Sequence, residues 1–127
     1  MVPPAILIVD PEDLLRWALR EVLSEAGFEV RDVGTAGAAR AWLGQSTQLP
    51  AVAFVDRRLP DASSVEIIQA VKTLAPSCYI IAMTDGTSQD EREALHAGAA
   101  DVLVKPLHLD RTVAKAYALT GFRPKLS

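Results

Sequence analysis

Four short apolar runs each end in a polar residue, and this pattern constrains the fold more tightly than any other feature of the chain. Ala5-Ile6-Leu7-Ile8-Val9 ends at Asp10, and Ala51-Val52-Ala53-Phe54-Val55 ends at Asp56. Tyr79-Ile80-Ile81-Ala82-Met83 ends at Thr84, and Val102-Leu103-Val104 ends at Lys105, followed by Pro106. Nearly continuous apolar runs of this length read as strands covered on both faces. A fifth run, Glu29-Val30-Arg31-Asp32-Val33, alternates and reads as an edge strand. Strands are therefore expected over residues 5–9, 29–33, 51–55, 79–83 and 101–104.

Helical segments separate them. Leu15, Ala18, Leu19, Val22, Leu23 and Ala26 recur at helical spacing, and Gly27 supplies a stop. An Ala-rich second helix is expected over Ala36–Leu43. Val65, Ile68, Val71 and Leu74 mark a third, which ends before Pro76. Ser88-Gln89-Asp90-Glu91 reads as a capping-box start for a fourth, ending at Gly98. The fifth runs from about Leu109 to Ala118. Regular β-α alternation implies an α/β fold: a doubly wound, five-stranded parallel sheet with right-handed crossovers and helices on both faces. Five strands with an alternating edge suit the flavodoxin-like order 2-1-3-4-5. In such a sheet the C-terminal strand ends converge on the ligand-binding edge. Two carboxylates, a hydroxyl and an ammonium then meet there, a set suited to an anion and its metal, with Asp56 at the centre.

Composition narrows the function. With 127 residues, one domain is expected. The net charge of −3, from 13 basic and 16 acidic residues, gives no support for nucleic-acid binding. The single Cys78 excludes an internal disulfide and a cysteine-based zinc site. No apolar stretch approaches the roughly 20 residues that span a bilayer. Met1-Val2-Pro3-Pro4 has no basic region, so a secretory signal is not expected and a soluble cytoplasmic protein is. The segment 120–127 has turn and linker character. The expected division is a domain over 1–119 and a C-terminal tail, or the start of a linker, over 120–127.

The ordered motifs Ile6-Leu7-Ile8-Val9-Asp10, Val55-Asp56-Arg57-Arg58-Leu59-Pro60-Asp61, Met83-Thr84 and Val104-Lys105-Pro106 resemble the receiver domain of two-component response regulators, the CheY-like family. Ala97-Gly98-Ala99-Ala100-Asp101 is also typical, and the resemblance covers Ile6 to about Ala118. Leu15-Arg16-Trp17 further resembles the first helix of receivers in enhancer-binding transcription activators. The resemblance implies that Asp56 accepts a phosphoryl group from a sensor histidine kinase or phosphotransfer protein. It implies Mg2+ held by Asp10, Asp56 and the backbone carbonyl of Arg58. Thr84 would donate its hydroxyl to a phosphoryl oxygen. Lys105 would pair with Asp56 before phosphorylation and with the phosphoryl group after it. An output domain or effector protein would receive the signal; a homodimer is left open.

Four positions depart from the family pattern. Pro11 stands where a second acid is usual, which weakens the metal site, and Glu12 is the candidate compensating acid. Asp85 stands where a small residue is usual, Val102 at the position of an aromatic switch, and Ser64 in place of a glycine. These departures keep a second function open: a degenerate receiver that works as a phosphorylation-independent interaction module. A flavodoxin-like enzyme is disfavoured, because no Gly-rich phosphate loop follows the first strand. Arg57 and Arg58 read as a solvated pair, Asp90 and Glu91 as first-turn helix acids, His96 and His108 as surface residues, and Trp17 and Trp42 as half-buried packing residues.

Overall fold

The computed structural model describes residues 2–124. Its elements run β1 (Ala5–Val9), α1 (Asp13–Glu25), β2 (Glu29–Val33), α2 (Ala36–Gln45) and β3 (Val52–Asp56), then α3 (Ser64–Leu74), β4 (Tyr79–Thr84), α4 (Ser88–Ala97), β5 (Asp101–Val104) and α5 (Leu109–Thr120). The strands form one parallel sheet in the order β2-β1-β3-β4-β5. The order expected from β-α alternation is therefore the one observed.

Successive strand residues point to opposite faces, and the core divides accordingly. Leu7, Val9, Ala53, Val55, Ile80 and Ala82 pack with Ala39, Leu43, Ile67, Ile68, Val71 and Ala94 on the side of α2, α3 and α4. Ile6, Ile8, Val52, Phe54, Ile81 and Met83 pack with Leu19, Leu23, Phe28 and Ala116 on the side of α1 and α5. Each fully buried Val, Leu, Ile, Phe or Met side chain among them contributes about 1.5–3 kcal/mol. The register aligns Val9 with Val55, Asp56 with Met83, and Thr84 with Val104. That alignment brings the four polar run-ends to one edge.

The helix ends differ in detail from expectation. Ser88 is not the α4 cap: Thr87 is, its side-chain oxygen accepting the Asp90 N–H at 3.2 Å. A capping box exists instead on α3, where Ser63 Oγ accepts from the Glu66 N–H and Glu66 Oε1 accepts from the Ser63 N–H. Thus Ser63 is the cap and Ser64 the first helical residue. Gly27, at φ 103, adopts a conformation open to glycine and follows Ala26, the C-cap of α1. At the other end of the chain α5 continues through Thr120, and the Phe122 ring packs 5.2 Å from Phe28. Residues 125–127 of the expected tail lie outside the described residues.

Trp42 packs partly buried against the core, but Trp17 is 60% exposed. Leu15, Leu19 and Leu23 define the inward stripe of α1, and Trp17 lies two residues from both Leu15 and Leu19, on the far side of the helix.

Asp61 ties the loop after β3 to α2. Its two carboxylate oxygens accept the N–H groups of Ala36 and Gly37 at 2.8 and 2.9 Å. These bonds from Gly37 and Ala36 hold its carboxyl below the ordinary carboxylate value. A depressed folded-state pKa stabilises above the unfolded value and ceases to do so as pH falls through the folded one. Asp61→Ala is therefore expected to lower the melting temperature at neutral pH, with the difference from wild type narrowing in acid, as the pH falls below the ordinary carboxylate value of 3.8. Thermal unfolding followed by circular dichroism at neutral and acid pH checks this.

Candidate functional site at the C-terminal sheet edge

Asp10 directly follows β1 and is completely buried. Its backbone N–H donates to Val33 at 3.1 Å, which continues the β1–β2 ladder by one residue. Its Oδ1 accepts the Glu12 N–H at 2.8 Å, and its Oδ2 accepts from Lys105 Nζ at 2.8 Å. Asp56 is the last residue of β3 and 7% exposed. Its Oδ1 lies 2.6 Å from Lys105 Nζ, and its Oδ2 accepts the Arg58 N–H at 3.1 Å. Thr84 ends β4, with its hydroxyl accepting the Gly86 N–H at 3.3 Å. The Lys105 N–H donates to the Thr84 carbonyl at 2.7 Å, so the two side chains leave neighbouring strand ends.

One ammonium therefore bridges two buried carboxylates. Glu12 approaches the same ammonium only at 3.8 Å and is largely exposed, so it sits on the rim. Asp56, Thr84 and Lys105 line a cavity of about 170 Å³ with Pro11, Glu12, Arg57, Arg58 and Asp85. Burial opposes the ammonium charge, but hydrogen bonds and Coulomb attraction from Asp10 and Asp56 outweigh it and raise the Lys105 pKa above its ordinary value. Cys78 has no place in this chemistry: burial pushes its thiol up to about 12.

Arg57 and Arg58 are not simply solvated. Arg57 Nε lies 2.7 Å from Asp90 Oδ1, and its Nη1 lies 3.6 Å from Asp85. Arg58 Nη2 lies 3.3 Å from Asp85, so the unusual Asp85 is drawn to two guanidiniums. Asp90 is a first-turn acid of α4 as expected, and its carboxylate is also buried. A sequence shows the acid at the helix start and the arginine after the acceptor, but not that the loop and the helix meet. Val102 has no ring, and it lines a groove of about 420 Å³ between β5 and α5.

The donor chemistry fits a sparse magnesium site. Mg2+ is held by one or two carboxylates, with waters and phosphate oxygens completing its shell. Asp10 and Asp56 supply two hard carboxylates, and the Arg58 carbonyl follows in the adjoining loop. Pro11 is exposed and offers no side-chain oxygen. Among the described residues no group of three or more His, Cys, Asp or Glu is placed to hold a metal ion.

The profile of the response regulator receiver domain matches residues 6–117. The chain belongs to this family. It is 34% identical over 115 residues to the transcriptional regulatory protein PhoP of Escherichia coli (strain K12), covering 90% of this chain and 51% of that protein. It is 31% identical, with 90% and 50% covered, to the virulence transcriptional regulatory protein PhoP of Salmonella typhimurium (strain LT2). The chain thus spans about half the length of the curated relatives it matches. A CheY-like receiver domain protein of Methanospirillum hungatei superposes with a TM-score of 0.84 at 26% identity, covering 94% of this chain and 95% of that one. A two-component response regulator of Clostridium difficile has the same fold, with a TM-score of 0.86, 24% identity and coverage of 93% and 96%. Receiver domains are signalling domains rather than metabolic enzymes, and as a family they bind Mg2+ and work with histidine kinases and output domains. Among the described residues no helix is long and apolar enough to cross a membrane.

Proposed function

We propose that this receiver domain accepts a phosphoryl group on Asp56 from a sensor histidine kinase or phosphotransfer protein and passes the change to an output domain or effector. The supporting observation is Lys105 Nζ, 2.6 Å from Asp56 Oδ1 and 2.8 Å from Asp10 Oδ2, beside a cavity that also holds Thr84. A carboxylate oxygen of Asp56 attacks phosphorus, the bond from phosphorus to the donor nitrogen breaks, and the imidazole leaves with its electron pair. The product acyl phosphate carries about −2 charge. Lys105 turns from Asp56 to the phosphoryl oxygens while keeping Asp10, and the Thr84 hydroxyl gives up its turn to donate to another. Asp10, Asp56 and the Arg58 carbonyl would hold magnesium, which would supply charge neutralisation when bound. The work of the protein is positioning and electrostatics.

The curated relatives are described as transcriptional regulatory proteins, so transcription control in the cytoplasm is the proposed output, with DNA contact outside this domain. Intact mass after exposure to Mg2+ and a small phosphodonor tests acceptance. One phosphoryl mass should be gained by the wild type and none by Asp56→Asn. A second reading, a constitutive interaction module, is favoured by Asp85 clasped between Arg57 and Arg58 and by the missing acid at Pro11. An unchanged wild-type mass would select it. Because Pro11 removes a ligand from a hard-cation site, Pro11→Asp is expected to tighten Mg2+ binding about tenfold, roughly what one added ligand or its support is worth. Calorimetric titration reads this, and loss of binding in Glu12→Ala with no gain in Pro11→Asp would show that Glu12 already serves.

A further inference from the structure

We infer that Arg16 is a positioning residue for phosphoryl transfer, holding the Asp10 backbone so that its carboxylate faces Lys105 and Asp56. The inference rests on the acceptor role of Asp56. Arg16 lies in α1, outside the motifs that carry the family resemblance to the acceptor site. Its guanidinium is nevertheless engaged on all three nitrogens. Nη1 donates to the Asp10 carbonyl at 2.8 Å, Nε to Asp32 Oδ2 at 3.1 Å, and Nη2 to Asp13 Oδ1 at 2.8 Å. Asp32 is itself steadied by Arg20 at 3.0 Å.

Gly34 supports the assignment. Its φ is not positive, so the backbone does not require glycine there. The space is close instead: a Cβ at this position would lie 2.9 Å from Arg16 Nη1 and in ordinary contact, 3.8 Å, with the Asp10 carbonyl oxygen, so the guanidinium would have to shift. Room is left for the guanidinium to reach the end of β1. The need for such a hold follows from Pro11. Proline lacks an N–H, so the turn after Asp10 has one donor fewer. The Glu12 N–H closes it through the Asp10 side chain. A charge-assisted bond from Arg16 to the Asp10 carbonyl fixes the other side of the same residue. Arg16 touches neither Asp56 nor Lys105, and it is not among the cavity-lining residues. Its effect must pass through Asp10.

The test compares wild type with Arg16→Lys, which keeps the charge but loses the planar fork, and with Gly34→Ala, which keeps Arg16 but pushes its guanidinium aside. Circular dichroism confirms folding. Where Arg16→Lys does not fold, Gly34→Ala carries the test. Two quantities are read: the initial rate of Asp56 labelling by a small phosphodonor, and equilibrium binding of Mg2+ alone by calorimetry. Both variants should label about ten- to a hundredfold more slowly, the range that displacement of a positioned group gives. Both should bind Mg2+ about tenfold more weakly, as loss of a supporting contact to a ligand does. A wild-type labelling rate in folded variants overturns the inference. So does slow labelling with unchanged Mg2+ affinity, because the effect would then bypass Asp10. Absence of labelling in the wild type would overturn the acceptor role, and this inference with it, and is distinguishable because no variant is involved.

Discussion

Lys105→Met is expected to destabilise the domain by about 3–5 kcal/mol, the range for removing one partner of a buried ion pair. Lys105 is 18% exposed at its side chain, and its two partners, Asp10 and Asp56, are buried. Without the ammonium, two carboxylates share a site with no cation between them. The pH dependence follows from Lys105 itself. Because the folded-state pKa of Lys105 is raised, its contribution is fully present below the ordinary value of 10.5 and is lost as pH rises through the higher folded value. Wild type should therefore lose this increment above about pH 10.5, whereas Lys105→Met has none to lose. Urea denaturation at neutral and alkaline pH measures both regimes. Equal stability of the two proteins at neutral pH would contradict the bridging role. The same variant should also lower the phosphorylation yield, since no cation remains beside the acceptor.

The sheet was legible because its signals are local. Buried parallel strands need continuous apolar runs, and the runs ending at Asp10, Asp56 and Thr84 fall where β1, β3 and β4 end, to within a residue. The juxtaposition of Asp10, Asp56, Thr84 and Lys105 followed from topology, since parallel strands deliver their C-terminal ends to one edge. What escaped were contacts between elements distant in sequence. Asp61 capping α2 joins positions 24 and 25 residues apart, and no local pattern announces it. Arg16 stands out in sequence only within Leu15-Arg16-Trp17; its bonds to the Asp10 carbonyl and to Asp32 emerge only once β1 and β2 are placed beside α1. The α4 cap failed for a smaller reason: Thr87 and Ser88 are both competent, and backbone geometry selected Thr87. Glu12 stood next to Pro11 in sequence, but its place at the rim of the pocket, 3.8 Å from Lys105, depends on where β5 ends.

Arg57→Met should cost about 2–3 kcal/mol, below the range for a wholly buried pair because Arg57 is 33% exposed. Its partner Asp90 is 6% exposed, and Asp90 Oδ2 has no hydrogen-bond partner among the described residues. Removing Arg57 would leave that carboxylate buried with no counter-charge. Adding Asp90→Asn removes the charge while keeping the shape, so the double variant should recover roughly 1–2 kcal/mol, a coupling typical of contacting residues. Chemical denaturation of all four proteins reads the cycle, and simple additivity would contradict the pairing. The same contact has a consequence for signalling. The Arg57 N–H is held by the Met83 carbonyl at 2.9 Å, while its side chain holds the first turn of α4. Phosphorylation takes Asp56 from a carboxylate of −1 to an acyl phosphate of about −2, and places that charge farther out, beside Arg57 and Asp85, competing for the guanidinium and repelling the carboxylate. Val102 offers no ring to fill space vacated by Thr84. The response to a beryllium fluoride mimic should therefore concentrate in residues 84–90 and reach the face of α4, β5 and α5 only weakly. A ligand shifts an equilibrium by no more than its differential affinity for the two states, and weak coupling gives a partial shift. In Arg57→Met the 84–90 response should fall to a minor fraction of that in wild type, at equal occupancy of the mimic. NMR shift mapping decides it: large, uniform changes across the α4, β5 and α5 face in both proteins would show that the signal takes another route.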